Sequence, residues 1–437
     1  MYNYYVEEYI KVLEVLHPSY VIVSGLKIFK YEFFEIDFEY FNDRIHKLIE
    51  CVSKCKEANK QEIIEFKREI QLLFFKFSIM NIQDYDFEYY MESHLDSIIC
   101  YLEEKPNIVH SDFLYFLNSF DKILEYMNGR INIREINCFV KNKYISLLKR
   151  YFTRSYNIFS TLNIDKSILS KKEVLLNKFI EDKYIINNNI RLFEFDNNKY
   201  NDFFKFTTGI NLKTNELEKY LESCKNKRFD CDFILKIKKW EDIKYQMPLE
   251  IFFDSNITLM YLKSFKNNII GKLYSKYNIL NEETIEFMHE IYPGHHYSSY
   301  LNMKNFYQYK FLNNIVFEEG WAMFIEYCNN KTEFYIRYKK LLISSIITIY
   351  INKYNMSPKE VYKKILLIFG NEIIDTYNVK NMIFNAMSNI IQSIYYVIGF
   401  EIIYKYFENK KINIIDNNHI EELMRNKFKV IHEFDLL

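Results

Sequence analysis

Apolar residues recur at three- and four-residue intervals along almost the whole chain. EFKREIQLLFFKF (65–77) and NEIIDTYNVKNMIFNAMSNIIQSIYYVIGFEIIYKYF (371–407) show the pattern over long runs. Proline and glycine, which interrupt helices, number only five and eight in 437 residues. The pattern predicts a mainly α, multi-helix fold with little β. Helix starts are marked by capping boxes at Ser170-Lys-Lys-Glu173 and at Ser357-Pro358-Lys-Glu360, the second with proline at the first helical position. NIRLFEF (189–195) reads as strand-like. Across IINNNIRLFEFDNNKY (185–200) the helical period fades and polarity rises. The chain therefore divides into an N-terminal helical lobe, 1–190, and a second helical lobe, 191–437. No 20–50 residue repeat is apparent.

Composition narrows the function classes. Lys plus Arg and Asp plus Glu are 58 each, so the formal net charge is zero. Nothing in that balance argues for a nucleic acid or an acidic membrane as the main partner. Seven cysteines lie at 51, 55, 100, 138, 224, 231 and 328, odd in number and without a C-x-x-C pair. They read as reduced thiols of a cytoplasmic protein. The opening MYNYYVEEYIKVLEVL has no basic segment of a secretory signal, and LLISSIITIYI (341–351) is too short to span a bilayer. The chain is rich in Asn, Ile, Lys, Tyr and Phe, whose codons are AT-rich, so runs such as NNN report codon bias more than function.

The candidate chemistry lies in HEIYPGHH (289–296), where three of the nine histidines fall within eight residues. Asn281 is placed to cap a helix, Glu282 and Glu283 suit its first turn, and Ile285, Met288 and Tyr292 mark a buried stripe. His289 beside that stripe is aimed inward. The common zinc pattern H-E-x-x-H would put its second histidine at 293, which is Pro293. Histidines at i and i+4, roughly 6 Å apart along a helix axis, can share an ion. His295 at i+6 lies on another face, and His296 at i+7 lies roughly 10 Å along. Either can converge with His289 only if the chain bends. Pro293 removes the N–H that would bond to the residue 289 carbonyl, and Gly294 permits the turn.

Another ligand should come from elsewhere, and FEEGWAMFIEY (317–327) offers it. Glu319 and Glu326 share a helix face, with Ala322 and Met323 between them. The surroundings are apolar, and buried carboxylates need partners. Glu319 suits a metal ligand, and Glu326 suits a residue that orients a ligating histidine. Small Ala322 would let this helix approach another closely.

Glu319-Gly320-Trp321-Ala322 followed by Glu326 resembles the E-G-[FW]-A-x-x-x-E segment of gluzincin metallopeptidases. Paired with HEIYPGHH, it resembles more specifically the bacterial family labelled domain of unknown function 885. That family's motifs read H-E-x-x-P-G-H-H and E-G-W-A-x-[YF]-x-E. The resemblance runs from about Tyr200 to the C-terminus. It implies a mainly helical, zincin-like peptidase fold with an active-site cleft. Carried over, it makes His289, His295 and Glu319 the ligands of one zinc ion per chain and Glu290 the general base. His296, Glu326 and Gln392 become further candidates for the metal or for orienting its ligands. A Gln, a Tyr four later and a Gly three after that match Gln392, Tyr396 and Gly399, with Tyr396 placed to donate to an oxyanion. Ahead of the Ser357 box the family carries Arg, Asp and His, where this chain has Ser344, Thr348 and Asn352. The proline before the Gln is Ile390 here. These departures imply an altered substrate or lost activity.

The expectation is a zinc-dependent peptidase or amide hydrolase acting on a peptide or small amide. Its rivals are a dedicated biosynthetic hydrolase or amide-forming enzyme, and a non-catalytic protein with a vestigial or structural metal site. His and Glu ligands do not separate zinc from manganese or cobalt.

Overall fold

The computed structural model describes residues 2–432 except 25, 27–29, 34, 55–59, 189, 192, 194, 211–213, 254–260, 266–269, 276–283, 306–311, 313, 371–376 and 388. It is mainly helical with little strand, as the periodicity predicts. The residues fall into two compact units, Met1–Asn189 with Leu249–Asn278, and Ile190–Pro248 with Ile279–Leu437. The chain thus crosses over beside the polar stretch at 185–200. Residues 249–278, which the sequence reading assigned to the second lobe, cluster with the first.

In the first unit, periodic apolar residues line the inner faces of the helices. In Phe38–Ser53, Asp37 caps the N-terminus through Tyr40 N–H, and Phe38, Phe41, Ile45, Leu48 and Val52 are buried. Helix Asp96–Glu103 is buried along almost its whole length. Its two acids meet the fully buried Arg154, which bonds to both Asp96 and Glu103. The triad leaves no charge alone in the core. Two parallel strands, Arg134–Ile136 and Tyr184–Ile186, pair across the helices between them. Leu249–Phe253, Ile270–Ser275 and Tyr261–Phe265 form a small mixed sheet in that order.

The second unit is organised around helix Ile315–Asn329, which packs most extensively against Gln392–Asn409. Lys331–Asn352 packs on the same partner. A short parallel pair, Ile234–Lys236 with Ile414–Asp416, lies in this unit.

Several local expectations are corrected. The helix carrying Ser170 begins earlier, at Ser167, where Asp165 accepts from the Ser167 N–H, so SKKE lies inside it. Asn281 to Glu283 lie outside the described residues, and Thr284 caps the motif helix by accepting from Phe287 N–H at 3.2 Å. The buried positions there are Phe287, His289, Ile291 and, as expected, Tyr292, while Ile285 and Met288 are half-buried. The described residues of 189–195 form no strand, and the nearby strand is Tyr184–Ile186. The long apolar run at 371–407 is two helices, Val379–Ala386 and Gln392–Asn409, with 371–376 outside the described residues. Ser357 is the expected cap, and its box with Glu360 is complete. Among the described residues, no helix is long and apolar enough to cross a membrane.

Candidate metal centre

The motif helix is short, Ile285–Glu290, and a second helix starts at His295. The bend between them is built from Pro293 and Gly294. A Cβ on Gly294 would stand 1.8 Å from the His289 carbonyl oxygen, so only glycine fits there. The Trp321 indole N–H, fully buried, donates to the Pro293 carbonyl at 2.8 Å. That bond fastens the bend to helix Ile315–Asn329.

The bend brings together side chains that a straight helix would hold apart. The His289 and His295 rings lie 4.9 Å apart between centroids, at 89°. Nε2 of His289 is 3.8 Å and Nε2 of His295 is 3.4 Å from Glu319 Oε2. One ligand atom from each of the three residues falls within 4.8 Å of the others. Tetrahedral zinc ligands at 2.0–2.2 Å would stand roughly 3.4 Å apart, so a small contraction would close the set on one ion. Glu319 Oε2 is buried and takes no well-aligned hydrogen bond among the described residues, with His295 Nε2 facing it at 3.4 Å. A buried carboxylate oxygen so weakly paired is costly, and a cation would satisfy it.

His289 is 3% exposed, and its Nδ1 meets Glu326 Oε1 at 2.5 Å. Arg337 Nη1 donates to the same oxygen at 2.6 Å. This fixes which nitrogen of His289 faces Glu319 and holds the ring in place. Burial, then the charges of His295 and Arg337, push His289 down to about 3. Burial also works against a charged His295, but the Glu319, Glu290 and Glu318 carboxylates overcome it and hold His295 up at about 9. Burial would raise Glu319, but His295 and His289 hold it below the usual carboxylate range. Burial pushes Glu326 up to about 7.

Glu290 is half-buried, and its charge is felt by His289, His295 and Tyr396. The Tyr396 ring stacks over His289 at 6.4 Å and 21°. Burial and then the Glu319 charge keep its hydroxyl protonated. His296 points elsewhere: it is buried, bonds to the backbone of Met247 and Pro248, and lies outside the group of three. Gln392 is exposed at the start of its helix.

The approach of the two central helices is set by glycine. A Cβ on Gly320 would meet Gly399 C at 2.2 Å, and one on Gly399 would meet the Val316 carbonyl oxygen at 2.0 Å. Gly320, one residue after Glu319, is therefore the small residue at the crossing, in place of the Ala322 expected from the sequence. Gly399 lies three residues after Tyr396, so this crossing sets the spacing between Glu319 and Tyr396.

Beside the cluster lies a cavity of about 550 Å³. Tyr396 and Arg337 belong to its wall, with Ser344, Thr348, Lys340 and Gln392. Ser344 and Thr348, two of the positions where the chain departs from the pattern it resembles, thus face the cavity. The third, Asn352, is buried and donates to the Ala386 carbonyl at 2.8 Å. The sequence offered no signal for Arg337, which reaches Glu326 from the next helix across a tight turn.

No family model and no curated protein matches the chain. Solved structures do. One is of a candidate lipoprotein of unknown function from Shewanella oneidensis, 12% identical, with a TM-score of 0.58 over 98% of this chain and 97% of that one. Another is of a candidate lipoprotein from Colwellia psychrerythraea, 9% identical, with a TM-score of 0.63 over 99% of this chain and 96% of that one. The likeness is one of fold.

Proposed function

We propose that this chain is a zinc-dependent peptidase or amide hydrolase of zincin-like type, related to the family labelled domain of unknown function 885. The observation that carries the reading is the convergence of His289, His295 and Glu319 on one point, with one ligand atom from each within 4.8 Å of the others. These residues would hold a divalent ion, which supplies Lewis acidity and an acidified water. Glu290 would take the proton of the attacking water and deliver it to the leaving amine. Tyr396 would donate its hydroxyl to the developing oxyanion. Glu326 and Arg337 would keep His289 oriented through Nδ1.

We place the reaction in the cytoplasm, supported by the thiols: Cys51, Cys100, Cys138, Cys224, Cys231 and Cys328 are all free. A second reading, a dedicated biosynthetic hydrolase with one substrate, is favoured by Ser344 and Thr348 in the cavity wall, where the family pattern has charged side chains.

Glu290 provides the test. The zinc-loaded Glu290→Gln protein should keep its metal and lose hydrolysis of a defined short-peptide library, read by mass spectrometry. If the variant hydrolyses those peptides as fast as wild type, Glu290 is not the base.

A further inference from the structure

We infer that the cavity beside the metal cluster is a carboxylate-reading subsite, and that Arg337 and Lys340 select substrates carrying a carboxylate close to the bond that is cut. The inference rests on the hydrolase reading for the reaction, but the recognition it describes is measured without turnover.

The wall is unevenly charged. Helix Lys331–Asn352 presents Arg337 and Lys340 to the cavity, and the one acid in the lining is Glu333, exposed at that helix's start. Lys340 makes no ion pair among the described residues. Arg337 uses Nη1 on Glu326, and a guanidinium has five N–H donors, so several remain for a ligand. The start of the 18-residue helix Gln392–Asn409 also borders the cavity. Gln392 and Ser393 line the cavity, and no side chain caps this end. Its first N–H groups add positive potential on the same space. The remaining polar lining, which includes Asn385, Asn389 and Thr348, is neutral. The volume of about 550 Å³ suits a small ligand or a few residues of a peptide.

Position matters as much as charge. Arg337 touches Glu326, which touches His289, so the cationic wall is two hydrogen bonds from a candidate metal ligand. Tyr396 is shared by cavity and cluster. A substrate whose amide lies between Glu290 and Tyr396 would put its next groups in this cavity. The carboxylate could be a free C-terminus or an acidic side chain, and both offer the same chemistry to Arg337 and Lys340.

The test is isothermal titration of full-length, zinc-loaded Glu290→Gln protein with N-acetyl-Leu-Phe, its C-terminal amide, and N-acetyl-Glu-Phe amide. At least one carboxylate probe should bind about tenfold or more tightly than the neutral amide. Preference for the first assigns the C-terminus, and preference for the third assigns the side chain. Lys340→Met, checked for zinc content as a sign of folding, should narrow the difference to about threefold or less. Equal binding of all probes, no binding of any, or an equal loss for all in Lys340→Met overturns the inference. Wild-type hydrolysis without carboxylate preference would leave the hydrolase reading standing and remove this one. Carboxylate-selective binding in a wild-type protein that cuts nothing would do the reverse.

Discussion

Replacing Gly399 by alanine should destabilise the second unit and disable the site, against the ordinary preference of the two residues. In a helix interior alanine is favoured over glycine by about 1 kcal/mol. Propensity alone therefore predicts a gain, and packing predicts a loss. A Cβ on Gly399 would lie 2.0 Å from the Val316 carbonyl oxygen, and 2.8 and 2.9 Å from Gly320 Cα and N. All three are backbone atoms, so no side chain can turn away. Restoring an ordinary contact of roughly 3.5 Å requires the helices to part by about 1.5 Å. Overpacking of this kind costs about 1–3 kcal/mol or more. Backbone-on-backbone overlap puts the cost at the upper end, about 3 kcal/mol, so net of the propensity gain a loss of about 2 kcal/mol lowers Tm by roughly 4–8 °C for a unit of this size. The same parting separates Glu319 from Tyr396, and a misplacement of about 1 Å can cost on the order of 100-fold in rate. Gly129→Ala is the control. It lies on helix His110–Arg130, where an added Cβ meets nothing within 4 Å. It should leave Tm unchanged or raise stability by up to about 1 kcal/mol. Differential scanning fluorimetry with peptide turnover reads both variants. A Gly399→Ala protein with wild-type Tm and full turnover refutes the close crossing.

Other outcomes follow from the same geometry. Glu326→Gln removes the charged acceptor of His289 Nδ1, so zinc affinity should fall about 10–100-fold, measured by competition with a chromophoric chelator. An unchanged affinity would show that Glu326 is a structural acid only. In the first unit, His94 is buried between the Tyr31 and Tyr89 hydroxyls, at 2.6 and 3.1 Å. Burial lowers it from 6.5 to about 3. The unfolded chain therefore binds an extra proton between those values, so the contribution is complete above pH 6.5 and is lost as pH falls toward 3. The loss is about 2 kcal/mol by pH 5 and on the order of 5 kcal/mol across the window. Urea unfolding at pH 7 and 5 should show a smaller drop in His94→Gln than in wild type, and equal drops would contradict the assignment.

The helical class and the convergence of His289, His295 and Glu319 were legible for different reasons. The class came from periodicity, which scarce proline and glycine left unbroken. The cluster came from a local conflict, three histidines whose spacing fits no straight helix beside the one dipeptide that permits a bend. Ser357 was readable because its cap is made by its own neighbours. Thr284 was missed because Asn281, three residues earlier, is also a good capping residue type and was the one chosen. Arg337 and Gly320 were missed because their roles exist only across helix pairs: one reaches Glu326 from the next helix, and the other matters through Gly399. The return of residues 249–278 to the first unit left no mark in composition, since their strands pair only within the segment and its tie to the first unit is packing, with helix Pro18–Val23 against strand Tyr261–Phe265.

The central claim is that the Pro293–Gly294 bend closes a metal site. Elemental mass spectrometry of the purified protein supplied with zinc, wild type beside Glu319→Ala, tests it most directly. About one zinc per chain is expected in the wild type and little in the variant. No zinc in either protein, or equal zinc in both, would contradict it.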